Sequence, residues 1–235
     1  MVDIHCHILP GIDDGAENIL ETIEMAKLAS ADGTRHIIAT PHFNHTFLNS
    51  VEVVHKLVPQ VQHAIDLAGV DITIHPGNEV RLESKDFVVS HTLNKQYCYL
   101  AGNPKFLLLE QSWHNYYAQT LEIIQWFQER GTRIIIPHPE RHSFFRNEPQ
   151  LLVKLIEAGV WTQVSVDSLL GKNSDAAQRL AEWLIQHNYV HMLATDAHNI
   201  RRKPNLSLGF DIVDHLVGSA RVQEMKDRAW SILPL

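Results

Sequence analysis

Seven times along this chain a short run of β-branched and aliphatic residues gives way to a longer segment with apolar spacings of three and four, and no other feature limits the fold as much. The runs cover residues 2–4, 36–39, 72–74, 106–109, 133–136, 161–164 and 192–195. Helical stripes lie between them: Ile19, Ile23 and Ala26; Val54, Leu57, Val61 and Ile65; Tyr117, Leu121 and Ile124; Leu151, Leu155 and Ala158; Ala176, Leu180 and Leu184. Gly33, Gly69, Gly131 and Gly159 stand where such helices would be capped before the next strand. Pro59 is expected to interrupt and kink the second helix. Residues 84–104 read as a short helix and loop, and 208–217 and 222–233 as two closing helices. Repeated βα units predict an α/β protein with a parallel sheet, either a closed or nearly closed barrel or an open doubly wound sheet. At 235 residues, one domain spanning 1–235 is the simplest organisation.

The balance of 20 Lys+Arg against 27 Asp+Glu argues against a nucleic-acid binder, whose affinity rests on neutralising phosphates. No apolar run reaches the roughly 20 residues that cross a bilayer, and the first residues lack the pattern of a signal peptide. With only Cys6 and Cys98, the expectation is a cytoplasmic protein without membrane insertion and without a disulfide scaffold. The 16 histidines are an anomaly whose meaning depends on where they fall.

In α/β folds chemistry gathers at the carboxyl ends of the strands. Here the first strand runs into His5-Cys6-His7, whose period of two sets both imidazoles on one side and Cys6 on the other. Asp13 and Asp14 follow. The second strand leads to His42, the third to Glu79, the fourth to Glu110, the fifth to His138 and the seventh to Asp196 and His198; only the sixth delivers no evident ligand. Singly, each has an ordinary explanation, Asp14 as a helix N-cap for instance. Together, so many acids and imidazoles at one mouth would repel or remain desolvated unless cations neutralised them. Histidine and carboxylate without thiolate suit Mn²⁺, Fe²⁺ or Zn²⁺. His36, His45, His55, His63, His75, His91, His114, His142, His187 and His191 lack this placement and stay unassigned.

The ordered set His5-x-His7, Asp13-Asp14-Gly15, Thr40-Pro41-His42, Gly77-x-Glu79, Glu110, His138-Pro139-Glu140-Arg141 and Asp196-x-His198-Asn199 resembles the polymerase and histidinol phosphatase (PHP) superfamily. Within it, the chain is most similar to the manganese-dependent protein-tyrosine phosphatases of bacterial capsule and exopolysaccharide synthesis. The resemblance implies a distorted (β/α)7 TIM-like barrel and two or three divalent ions. His5, His7, Glu79 and Asp196 would form one site; Glu79 would bridge to a second with Glu110 and His138; Asp14, His42 and His198 would hold a third. It also implies a phosphotyrosine protein as substrate, a bacterial tyrosine autokinase being the expected partner. Five residues after His198, where these phosphatases commonly carry arginine, stands Lys203, with Arg201 and Arg202 beside it. Lysine brings charge without the bidentate fork.

The chemistry expected is attack of a metal-bound hydroxide on phosphorus. Arg141, Asp14 and His42 are nominated for catalysis, and Arg141 and Lys203 for substrate binding; Arg141 could instead pair with Glu140 at the surface. A cysteine nucleophile is not expected, because six residues after Cys6 and Cys98 stand Ile12 and Pro104, not the arginine such enzymes need. The same scaffold could serve a small-molecule phosphatase such as one for histidinol phosphate, and a metal-binding module without turnover is a further reading.

Overall fold

A computed structural model describes residues 1–113 and 115–234; His114, among the unassigned histidines, lies outside them. The strands are β1 (Val2–Cys6), β2 (His36–Ala39), β3 (His42–Phe43), β4 (Thr73–Pro76), β5 (Glu79–Arg81), β6 (Phe106–Glu110), β7 (Arg133–Pro137), β8 (Trp161–Ser165) and β9 (Met192–Ala194). All seven expected runs are strands. The two added ones, β3 and β5, are continuations. His36 faces Thr73 and Ala39 faces Pro76; beyond a gap, His42 faces Glu79 and Phe43 faces Val80 in unchanged register. Strands two and three of the barrel are therefore each broken once, at Thr40-Pro41 and at Gly77-Asn78.

These breaks have local causes. Pro41 has no N–H to give a ladder. Asn78 patches the gap, donating to the carbonyls of Pro41 and Asn49 and accepting from the N–H of Cys98. At Gly77 a Cβ would sit 2.8 Å from Ile38 Cγ2 and 3.1 Å from the Ala39 carbonyl, so only glycine lets the backbones approach.

Parallel pairing runs β1-β2-β4 in one sheet and β3-β5-β6-β7-β8-β9 in the other. A seam joins their outer edges. The N–H of Asp196 donates to the His5 carbonyl at 2.9 Å, that of His7 donates to the Ala197 carbonyl at 2.8 Å, and Cys6 bridges Ala197 in parallel sense. Buried Asp3 accepts from the N–H and hydroxyl of Thr195 across the same seam. The result is a distorted barrel of seven strand positions. The helices Ile19–Ala31 and Val51–Leu67 pack on Ile37, Ala39 and Ile74, and the later helices on Leu107, Leu109, Ile134, Ile136 and Val164. Val2, Ile4, Ile38, Leu108, Ile135, Met192 and Ala194 point inward and fill the floor, closed by Leu100, Ala229, Ile232 and Leu233.

Helix Val51–Leu67 runs through Pro59 without the expected interruption. Pro59 and His55, whose carbonyl loses its partner, are both exposed, so water can satisfy the freed group. The fourth helix begins at Thr120, leaving Tyr117 outside it. The irregular stretch contains the helix Lys85–Leu93, as expected. No helix among the described residues is long and apolar enough to cross a membrane.

Candidate metal centre

A bulge in β1 sets up the mouth. Asp3 faces Ile37 and Cys6 faces Ala39, so three steps on β1 match two on β2. The extra residue flips the parity of the strand. Ile4 thus fills the floor while His5 and His7, also inward, reach the mouth, and Cys6 turns out into the helix layer. His42 opens β3, Glu79 opens β5 and Glu110 closes β6. His138 follows β7 with φ 34°, and Asp196 follows β9 with φ 52°. Both are left-handed conformations that cost a non-glycine residue on the order of 1 kcal/mol, held here by the surrounding pairing.

All nine nominated ligands converge. Their donor atoms form four groups within 4.8 Å: His7, Asp14, His42 and His198; His5, His7 and Asp196; His5, Glu79 and His138; and His42, Glu79 and Glu110. The partition differs in detail from the one the resemblance implies, since Glu110 sits with His42 and His138 with His5. Except for Asp14, at the rim, these side chains are buried or nearly so.

Hydrogen bonding tests whether the set fits a cation. Nδ1 of His5 lies 3.0 Å from Gln163 Oε1, that of His7 lies 2.8 Å from Asp13 Oδ2, and that of His198 lies 2.8 Å from the Asp196 carbonyl. Each acceptor fixes the proton on Nδ1 and leaves a lone pair on Nε2. Those lone pairs face each other and face carboxylates: His5 Nε2 is 3.2 Å from His7 Nε2, 3.4 Å from Glu79 Oε1 and 3.3 Å from Asp196 Oδ1. His42 Nδ1 lies 2.9 Å from Glu79 Oε2 but makes no properly directed hydrogen bond to any described residue. Lone pairs aimed at one another are repulsive unless they share a positive ion, so the donor set fits divalent metal.

The electrostatics agree. Burial pushes Glu110 up to about 7, helped by the charge of Glu79, so two adjacent carboxylates cannot both ionise easily without added positive charge. Burial drives His138 down to about 4, reinforced by Arg141, and is the largest cause that drives His198 down to about 3. Both are neutral near pH 7, the form that ligates. His42 goes the other way, to about 9, because Glu79 and Asp14 outweigh its burial. A proton and a cation therefore compete for His42.

A cavity of about 110 Å³ opens above the cluster, lined by Asp14, His42, Glu79, Arg81, Glu110, Trp113, His138, Arg141, Asp196, His198 and Arg202. Arg141 Nη1 reaches Asp196 Oδ2 at 2.5 Å and Arg202 Nη2 the same oxygen at 2.9 Å, while Arg81 Nε holds Glu110 Oε2 at 2.7 Å. Glu140 does not pair with Arg141; it accepts from the Ser165 N–H and the Ser168 hydroxyl. Lys203 is exposed and does not line the cavity, whereas its neighbour Arg202 does. Sequence reasoning misses Gln163, Arg81 and Trp113, gives Asp13 no role within its motif, and names Arg202 only as a neighbour of Lys203. A glutamine interrupting the buried run Trp161–Ser165 is the available signal on the sixth strand.

Fold and site together define a class: β/α-barrel proteins carrying histidine and carboxylate groups able to hold metal at the carboxyl ends of their strands. Within that class the chain belongs to the CpsB/CapC family of capsular polysaccharide synthesis, whose model matches residues 1–230. It is 32% identical over 204 residues to the tyrosine-protein phosphatase YwqE of Bacillus subtilis (strain 168), covering 86% of this chain and 79% of that one. It is 26% identical over 240 residues to the tyrosine-protein phosphatase CpsB of Streptococcus pneumoniae, covering 96% and 94%. A crystal structure from work on B. subtilis YwqE and S. pneumoniae CpsB, described as metal-dependent tyrosine phosphatases, superposes with a TM-score of 0.95 at 30% identity over 99% of this chain and 94% of that one. Dihydropyrimidinase from Brevibacillus agri, 10% identical with a TM-score of 0.52 over 95% and 68%, shares the fold alone.

Proposed function

We propose that this chain is a metal-dependent protein-tyrosine phosphatase that hydrolyses phosphotyrosine on an autophosphorylated bacterial tyrosine kinase of polysaccharide synthesis. The observation that carries the reading is one small cavity in which four overlapping ligand groups meet three arginines, positive charge arranged for an oxyanion. His5, His7, Asp14, His42, Glu79, Glu110, His138, Asp196 and His198 would hold two or three divalent ions, Mn²⁺ first among them and Fe²⁺ or Zn²⁺ as alternatives. Such ions, when bound, supply Lewis acidity and neutralise phosphoryl oxygens.

The chain's own groups do the rest. Arg141 would grip the phosphoryl group through its planar fork, with Arg202 beside it in the position expected for Lys203. Asp14 stands at the solvent rim, with His42 Nε2 3.3 Å from its Oδ1, where a proton would pass to the departing oxygen. A phenol, with its pKa near 10, asks less of that transfer than an alcohol would. Cysteine takes no part: burial pushes the Cys98 thiol up to about 12 and holds the Cys6 thiol well above its usual range, so neither supplies a thiolate. Two unpaired buried cysteines also suit a cytoplasmic enzyme.

The test is turnover of a phosphotyrosine peptide beside histidinol phosphate, after chelation and again after return of Mn²⁺. Restoration by Mn²⁺ with preference for the peptide is expected, and Arg141→Ala should lower kcat/KM by about 100-fold. Preference for histidinol phosphate, or turnover that survives chelation, would overturn the assignment.

A further inference from the structure

Every residue lining the cavity is an acid, an arginine or a histidine except one. Trp113, three residues beyond Glu110, is the single apolar surface among the described lining residues. Its placement is not that of a loose loop side chain. The indole stacks on His142 with centroids 4.7 Å apart and planes at 29°, and His142 stacks in turn on Phe144 at 5.2 Å. It also lies nearly parallel to His138, at 12° and 5.5 Å, and the Arg141 guanidinium sits 5.0 Å from its ring centroid.

His142 explains what this column is for. It is fully buried, and neither ring nitrogen has a hydrogen-bond partner among the described residues. An imidazole kept without partners pays a desolvation cost that no polar role repays. As a flat plate beneath Trp113 it has a use, because aromatic stacking fixes the plane of the indole.

We infer that Trp113 is the specificity-determining wall of the site, the surface against which the aromatic ring of the substrate packs while its phosphoryl group is held at Arg141. The inference rests on the phosphatase reading. Trp113 and Arg141 are in mutual contact, so a phosphoryl group at the guanidinium brings whatever is bonded to it alongside the indole. The aryl ring of phosphotyrosine is rigid and apolar and stacks there; the short side chains of phosphoserine and phosphothreonine offer nothing to stack.

The inference is tested by calorimetric titration of the Mn²⁺-loaded protein with phenylphosphonate and with methylphosphonate, which share the anionic head and differ in the ring. Wild type is expected to bind phenylphosphonate more tightly. Trp113→Ala should weaken phenylphosphonate about tenfold and methylphosphonate less than about twofold, while Trp113→Phe should recover most of the loss. Equal weakening of both ligands, or of neither, overturns the inference. So does loss of bound metal or of fold in Trp113→Ala together with undiminished ring preference in Trp113→Phe and Trp113→Leu. Because binding is read directly, a wild type that prefers the phenyl ligand yet fails to turn over phosphotyrosine would indict the proposed function and not the wall.

Discussion

Ile4 and His5 are neighbours in the chain, yet Ile4 shares the barrel floor with Ile38, Leu108 and Ile135, while His5 faces Glu79 and Asp196 at the mouth. The two ends of the barrel obey different rules. On the floor the strands alternate strictly, Ile135 inward and Ile134 and Ile136 outward, and each buried aliphatic side chain contributes about 1.5 to 3 kcal/mol. At the mouth the regularity is lost: β1 bulges, two strands break, and two candidate ligands sit in left-handed conformations. The floor supplies stability that the mouth consumes, so damage at one end should leave the other readable.

The sharpest way to break that comparison is Glu79→Gln, which keeps the volume and removes the charge shared by two of the four candidate ligand groups. Activity should fall by more than about 100-fold, since even residues supporting a ligand cost 10 to 100-fold when lost, while circular dichroism stays unchanged. If the fold collapses instead, the two ends are not separable. The mirror experiment is Ile135→Ala. Urea denaturation should show a loss of about 2 to 5 kcal/mol, with kcat/KM per folded molecule within about twofold of wild type.

A third change sits between the two ends. Gln163→Leu removes the acceptor that fixes the His5 tautomer without touching a ligand, and metal affinity measured by competition with a chelator should drop by about 10 to 100-fold. Unchanged affinity would mean the tautomer is set elsewhere. The smallest effect is expected at His75, outside all four ligand groups. Burial, and then the charge of His36, pushes it down to about 4 from 6.5. Between those values the unfolded chain takes up a proton that the folded one refuses, so stability is lost as pH falls through that window. His75→Gln should make the fall in urea midpoint between pH 7 and pH 5 shallower when both proteins are compared in chelator. An equal slope removes His75 from the acid limb.

These contrasts also show what a linear chain can reveal. The seven aliphatic runs and the acids and imidazoles at their ends were legible because strand period and strand-end chemistry are local properties. The bulge between Asp3 and Cys6 was not, since it exists only relative to β2. Neither were β3 and β5: two- and three-residue strands carry no period of their own and are defined by partners 37 positions away, His42 with Glu79 and Phe43 with Val80. Gln163 passed unnoticed for a related reason. A lone amide in an apolar strand says that something polar must meet it, not that the partner is His5. Pro59 misled in the other direction, because the rule against proline in helices assumes a carbonyl without water, and that of His55 is at the surface.

The seam has a temporal consequence. His5 and Asp196 meet only when the ninth strand is laid beside the first, 191 positions later in synthesis. At translation speeds of about 5 to 20 residues per second, a nascent chain spends roughly ten seconds or more with its opening histidines made and Asp196 still unmade. The full set of candidate ligands therefore exists only once nearly all strands of the barrel have been made.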